Sequence, residues 1–166
     1  MNKAIFLDRD GIINVEIGDY IKCFEDFTII EQLGESLKTL KDKGYIFVVI
    51  TNQGGLAKKL YDEQELDKMH EFLIQEMKKY DVHFEEIYYC PHHPDFNGKC
   101  LCRKPGSQLV EKAIARFNID ASKSFFIGDK QRDIDAGNAV GVKGILVESN
   151  PDWNNLLKQI ELKSSY

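Results

Sequence analysis

Five short apolar runs, at residues 4–7, 45–51, 87–89, 124–128 and 144–147, are rich in β-branched and aromatic side chains and are separated by stretches of helical periodicity. Strands that are apolar throughout need cover on both faces, as in parallel sheets. The intervening helical patterns span residues 35–43, 62–80, 107–117 and 134–140. In the second of these, Leu66, Met69, Leu73, Met77 and Tyr80 form one stripe, and Asp62 with Glu65 predicts a capping box. Strand–helix alternation of this kind predicts an α/β fold: a doubly wound, Rossmann-like parallel sheet with helices on both faces. At 166 residues and 43% hydrophobic content, the chain is expected to build one core and one domain over residues 1–166. Residues 151–166 are amphipathic around Trp153, Leu156, Leu157 and Ile160 and predict a final helix that frays at Ser164.

In such sheets ligands bind outside the carboxyl ends of the strands. Asp8 ends the first predicted strand, Thr51-Asn52-Gln53 the second and Gly128-Asp129 the fourth, while Arg103-Lys104-Pro105 precedes a helix and can reach the same edge. Alone, Asp8-Arg9-Asp10-Gly11 fits an ordinary turn equally well. Its placement with the other motifs favours chemistry. Asp8, Asp10, Asp129 and Asp133 would repel one another unless a divalent cation sat among them, and hard oxygen ligands suit magnesium. Phosphoryl transfer needs an oxygen nucleophile, a metal on the phosphate oxygens and donors for the remaining charge. Asp8 is the candidate nucleophile, and Asp10 the acid that protonates the leaving oxygen and then activates water. Thr51 is expected to donate to the phosphoryl group and Lys104 to neutralise it and hold Asp8. The expected Mg2+ ligands are the Asp8 and Asp129 carboxylates and the Asp10 main-chain carbonyl, with Asp133 supporting from behind.

The ordered set Asp8-x-Asp10-Gly11, Thr51, Lys104 and Gly128-Asp129-x-x-x-Asp133 resembles the haloacid dehalogenase superfamily over residues 3 to about 147. The resemblance implies a Rossmann-like core, a magnesium cofactor and an aspartyl-phosphate route. Ile12 stands where members often carry threonine or valine. Because residues 11–44 and 52–86 each have room for one loop and one helix, no cap domain is expected and the site should be open.

Cys90-Pro91-His92-His93 and Cys100-Leu101-Cys102 bring four soft ligands together in residues 90–102. Ligands two apart on an extended segment point to one side, so two such segments can close a tetrahedral site. The predicted zinc ligands are Cys90, His92, Cys100 and Cys102, with His93 the alternative nitrogen. Such a Zn2+ would be structural and would order the approach to Arg103 and Lys104. Cys23 stands apart. The stretch from Cys90 to Pro105 looks like the zinc-carrying branch that holds heptose 1,7-bisphosphate and histidinol-phosphate phosphatases. Lys130, where histidinol-phosphate enzymes tend to have arginine, leans towards the heptose substrate and its C7 phosphate. A short 92–100 loop and Gly54-Gly55, in place of serine and glycine, depart from that pattern. By this resemblance Asn52, Gln53, Arg103 and Lys130 are expected to contact substrate, and the segment with Glu16, Asp19 and Tyr20 to close over the sugar.

A net charge of −5 and a pI near 5.4 argue against a nucleic-acid partner. No apolar run suggests a bilayer span, and Asp8 falls before any signal-peptide core could form, so a cytoplasmic monomer acting on a small phosphorylated sugar is expected. A phospho-accepting receiver-like signalling module is the competing class. Receivers, however, phosphorylate an aspartate on a later strand and need neither the second aspartate nor a metal loop.

Overall fold

A computed structural model describes residues 1–164. Five parallel strands, β1 (Lys3–Leu7), β2 (Tyr45–Asn52), β3 (Glu86–Cys90), β4 (Phe125–Gly128) and β5 (Lys143–Leu146), form one sheet in the order β3-β2-β1-β4-β5. All five apolar runs become strands, each within one or two residues of the predicted bounds. The helices are α1 (Leu33–Asp42), α2 (Glu63–Lys78), a one-turn α3 (Pro94–Asn97), α4 (Gln108–Arg116), α5 (Gln131–Asn138) and α6 (Trp153–Ser164). Both α3 and the start of α5, three residues ahead of the predicted helix, were hidden because their polar sequences lack a stripe.

Strand alternation divides the interior into two layers. Ile5, Leu7, Phe47 and Val49 face α1, α2 and α6 through Leu37, Leu73 and Trp153. Ala4, Phe6, Val48 and Ile50 face α4 and α5 through Val110, Ala113 and Ala136. The sheet is thus covered on both faces, which explains why its strands lack polar alternation. No described helix is long and apolar enough to cross a membrane.

Two details differ from the sequence reading. Asp62 caps α2 by accepting from the Glu65 amide at 2.9 Å, but the Glu65 carboxylate accepts from the Phe24 amide (2.7 Å) and Lys68 instead of closing the reciprocal half of the box. Tyr80 lies beyond the end of α2, and its ring fills the space above Gly34, where a Cβ would come within 2.3 Å of it.

Helix α6 runs from Trp153 to Ser164; the last two residues of the predicted tail lie outside the described residues. Trp153 is fully buried, and its indole N–H donates to the Ile12 carbonyl at 2.9 Å, tying α6 to the turn that follows β1. Trp153→Ala should therefore lower stability by about 3–5 kcal/mol in denaturant unfolding, whereas a dispensable tail would leave the midpoint unchanged.

Candidate active site

Strand order reverses between β1 and β4, and the residues that follow these two strands meet at that switch point. Immediately after β1 the chain folds back, with the amides of Ile12, Ile13 and Asn14 converging on the Arg9 carbonyl. Gly11 permits this turn. Its φ is +85°, and a Cβ there would lie 2.6 Å from Asp129 Oδ2.

Lys104 reaches this point from the segment before α4. It is almost fully buried, and its Nζ lies 2.7 Å from Asp8 Oδ1, 2.8 Å from Asp133 Oδ1 and 2.6 Å from the Ile50 carbonyl. Burial works to lower the lysine's pKa, but the two carboxylates outweigh it and hold the pKa above the usual value. Asn52 fixes the lysine backbone from β2, accepting from the Lys104 amide (3.0 Å) and donating to its carbonyl (3.2 Å).

Carboxylate oxygens of Asp8, Asp129 and Asp133 lie within 4.8 Å of one another. Asp8 is pushed up to about 7, first by burial and then by repulsion from Asp133 and Asp10, against the pull of Lys104. Asp129 Oδ2 accepts from Ser149 and pairs with Lys130 (3.1 Å), but among the described residues its buried Oδ1 has no hydrogen-bond partner. An unsatisfied buried carboxylate oxygen beside a second carboxylate is what a hard divalent cation would complete. Asp133 stands behind: Oδ1 faces Lys104, and Oδ2 accepts from the Lys130 amide at 3.1 Å.

Asp10 is held differently. Burial works to raise its pKa, but Arg9, Asn14 and Gln53 more than offset this and keep it below the usual carboxylate range. Thr51 is buried, its hydroxyl accepting from Gln53 at 2.8 Å.

A cleft of about 460 Å³ opens above these groups, lined by Asp8, Asp10 and Asp129 and by the expected substrate contacts Glu16, Asp19, Tyr20, Asn52, Arg103 and Lys130. Gln53, expected at the substrate, is instead buried behind Asp10 with its amide engaged by Tyr61, Thr51 and Asp10. Several participants escaped the sequence reading. Arg132 joins the cleft wall from the first turn of α5, Ser149 holds Asp129, and Asn150 secures the Glu16 backbone through both its oxygen (2.7 Å) and its amide (3.2 Å). A helical offset from Asp129 could have flagged Arg132; nothing in sequence flags Ser149 or Asn150.

The cysteine-rich loop begins where β3 ends, at Cys90. Sγ of Cys90 lies 3.5 Å from Cys100 Sγ and 2.8 Å from Cys102 Sγ, and His92 Nδ1 lies 3.5 and 3.3 Å from Cys90 and Cys102. A tetrahedron with metal–sulfur bonds of roughly 2.3 Å has edges of roughly 3.8 Å, so the four atoms are arranged for one ion, with the Cys90–Cys102 edge compressed. His93 is not in the cluster. Its Nδ1 accepts from the Asp95 amide, and its ring meets Phe96 edge-on. Arg103, the next residue after the cluster, donates to the His92 carbonyl at 3.0 Å and so enters the cleft from a fixed loop.

Comparison with known proteins follows the same lines. The HAD-hydrolase-like family model matches residues 101–162. The D-glycero-beta-D-manno-heptose-1,7-bisphosphate 7-phosphatase of Haemophilus ducreyi is 42% identical over 146 residues, 85% of this chain and 80% of that protein. The D-glycero-D-manno-heptose-1,7-bisphosphate 7-phosphatase of Chlorobaculum tepidum is 35% identical over 170 residues, 96% of this chain and 85% of that one. A crystal structure of D,D-heptose 1,7-bisphosphate phosphatase from B. bronchiseptica, complexed with magnesium and phosphate, aligns with a TM-score of 0.83 at 28% identity, covering 95% of this chain and 86% of its own.

A cation binding at Asp8 must expel the proton this carboxyl retains up to about pH 7 in the metal-free protein. Magnesium affinity measured calorimetrically should rise by up to about tenfold per pH unit as pH approaches 7 and level off above it. Affinity independent of pH below 7 would contradict the arrangement.

Proposed function

The chain belongs to the HAD-like hydrolase family, beside the heptose-bisphosphate phosphatases, and from that premise we propose that it hydrolyses the C7 phosphate of D-glycero-D-manno-heptose 1,7-bisphosphate. The observation that carries the reading is the convergence of Asp8, Asp129 and Lys104 at one strand edge, under a cleft whose rim offers Arg103 and Lys130. Two cations there, one a forked guanidinium, suit a substrate with a second phosphate.

In this reading an oxygen of Asp8 attacks phosphorus in line with the sugar oxygen, forming the Asp8–phosphate bond as the phosphorus–sugar bond breaks. Asp10, a carboxylate in the free protein, takes up a proton as the anionic phosphate settles beside it and gives that proton to the departing sugar oxygen. In the second half Asp10 takes a proton from water, the water oxygen bonds to phosphorus, and Asp8 is released as a carboxylate. Thr51 and Lys104 stabilise the transferring group, and Lys104 also keeps Asp8 from turning away from the cleft. Magnesium, held by the Asp8 and Asp129 carboxylates and the Asp10 carbonyl with Asp133 behind, supplies charge neutralisation on the phosphoryl oxygens when bound. Glu16, Asp19, Tyr20 and Asn52 complete the sugar-facing wall, while Gln53 acts through Asp10. Zinc at Cys90, His92, Cys100 and Cys102 is structural, since four protein ligands leave it no open position.

Phosphate release from the heptose bisphosphate should depend on magnesium and be lost in Asp8→Asn, and kcat/KM should exceed that for histidinol phosphate. A preference for histidinol phosphate would transfer the assignment to that substrate, and stable phosphorylation of the protein without turnover would favour a receiver-like module. Metal analysis should find about one zinc per chain, retained after magnesium is removed, with Cys102→Ser lowering both stability and activity. Protein without zinc, prepared without chelator, would refute that site.

A further inference from the structure

Asp10 is surrounded by polar groups that the cleft does not contain. Its Oδ1 receives three N–H donors: Arg9 Nε at 3.1 Å, Arg9 Nη2 at 2.8 Å and Asn14 Nδ2 at 3.0 Å. Its Oδ2 receives one, from Gln53 Nε2 at 3.1 Å. An oxygen that accepts three hydrogen bonds has no lone pair left for a proton. Proton exchange by Asp10 is thereby confined to Oδ2.

Each set of donors is backed by a further buried residue. Arg9 is fully buried, with its guanidinium 5.3 Å from the centre of the Phe27 ring and Nη1 3.3 Å from His70 Nε2. A guanidinium only donates, so His70 Nε2 must be the acceptor and the ring is neutral with its proton on Nδ1. His70 sits on the buried stripe of α2, between Met69 and Leu73, and is itself buried. On the other side Gln53 directs its amide N–H groups to Asp10 Oδ2 and Thr51 Oγ1, while its Oε1 accepts from the Tyr61 hydroxyl at 2.5 Å. Turning that amide over would set Oε1 against the carboxylate. The Tyr61 hydroxyl, which needs an acceptor in its buried position, selects the productive orientation. Gly55 leaves room for this, because a Cβ there would lie 2.2 Å from the Tyr61 ring.

We infer that His70 and Tyr61, neither of which lines the cleft, are positioning residues that brace Asp10 from opposite sides, through Arg9 and Gln53, so that Oδ2 delivers the proton to the leaving oxygen. The inference rests on the phosphatase reading and adds the means by which the acid is aimed. Transfer of the Oδ2 proton to the sugar oxygen balances cleavage of the phosphorus–oxygen bond, and water returns the proton to Oδ2 in the second step.

An activated ester separates this role from mere packing. p-Nitrophenolate leaves without a proton, so its release in the first turnover depends on Asp8 and not on the aim of Asp10. In His70→Leu and Tyr61→Phe, kcat for the sugar phosphate that wild type hydrolyses should fall roughly tenfold with KM nearly unchanged, while first-turnover release of p-nitrophenolate from p-nitrophenyl phosphate stays within about twofold. His70→Gln, which keeps an acceptor, should recover most of the loss. Equal losses on both substrates, or an unchanged kcat on the sugar phosphate, would overturn the inference. Tyr61→Phe removes a single hydroxyl and decides the matter if His70→Leu does not fold. Because any unactivated sugar phosphate will serve, an error in the proposed substrate would show in the wild-type assay and not in this comparison.

Discussion

One buried ammonium organises this molecule. Lys104 Nζ sits among the Asp8 and Asp133 carboxylates and the Ile50 carbonyl, joining the ends of β1 and β2 to the first turn of α5. Removing a charge from water is unfavourable unless partners surround it, and removing one partner of such a group leaves the others unsatisfied. The cluster therefore holds together as a unit. Asp8 is immobilised by a residue nearly a hundred positions away, and the lysine backbone is in turn fixed by both ends of the Asn52 side chain. The cysteine-rich loop carries the same logic outward. Cys90 ends β3, and Cys102 immediately precedes Arg103 and Lys104, so an ion at the Cys90–His92–Cys100–Cys102 cluster would stiffen the segment that delivers the lysine.

The two aspartates of the first motif have opposite environments although one residue separates them. Asp8 is buried beside other carboxylates and leans towards protonation, a state that a cation would reverse. Asp10 is gripped by a guanidinium and two amides and leans the other way. Two similar side chains one residue apart are thus set to opposite tendencies by environment alone, the division that the proposed roles of Asp8 and Asp10 require.

Sequence exposed the groups whose roles follow from chain position. Asp8 and Asp129 follow apolar strands, and the carboxyl ends of parallel strands are where such sheets bind ligands, so these residues were legible in the sequence. The cysteine–histidine cluster was legible because three cysteines and two histidines in thirteen residues have few other uses. Arg9, His70 and Tyr61 were not. An arginine between two aspartates reads as a surface charge, a histidine on an apolar helix stripe as core, and a tyrosine before a helix as a loop residue; only tertiary contacts show that all three lead to Asp10. Gln53 illustrates the reverse. Its motif placed it near the site, but which way a side chain at a strand end turns is decided by neighbours, here Tyr61 and Asp10. Helix ends were the least legible part of the fold, as with α5, whose first turn is polar because it carries Arg132 and Asp133.

On the proposed route phosphate passes through a covalent bond to Asp8. Borohydride added during turnover of the heptose bisphosphate reduces an acyl phosphate to the alcohol, and peptide mass spectrometry then locates the reduced residue. The account predicts homoserine at position 8, dependent on both substrate and magnesium, with Asp10 unmodified. Efficient turnover with no reduction at Asp8, or with reduction at Asp10 or Asp129 instead, would contradict it.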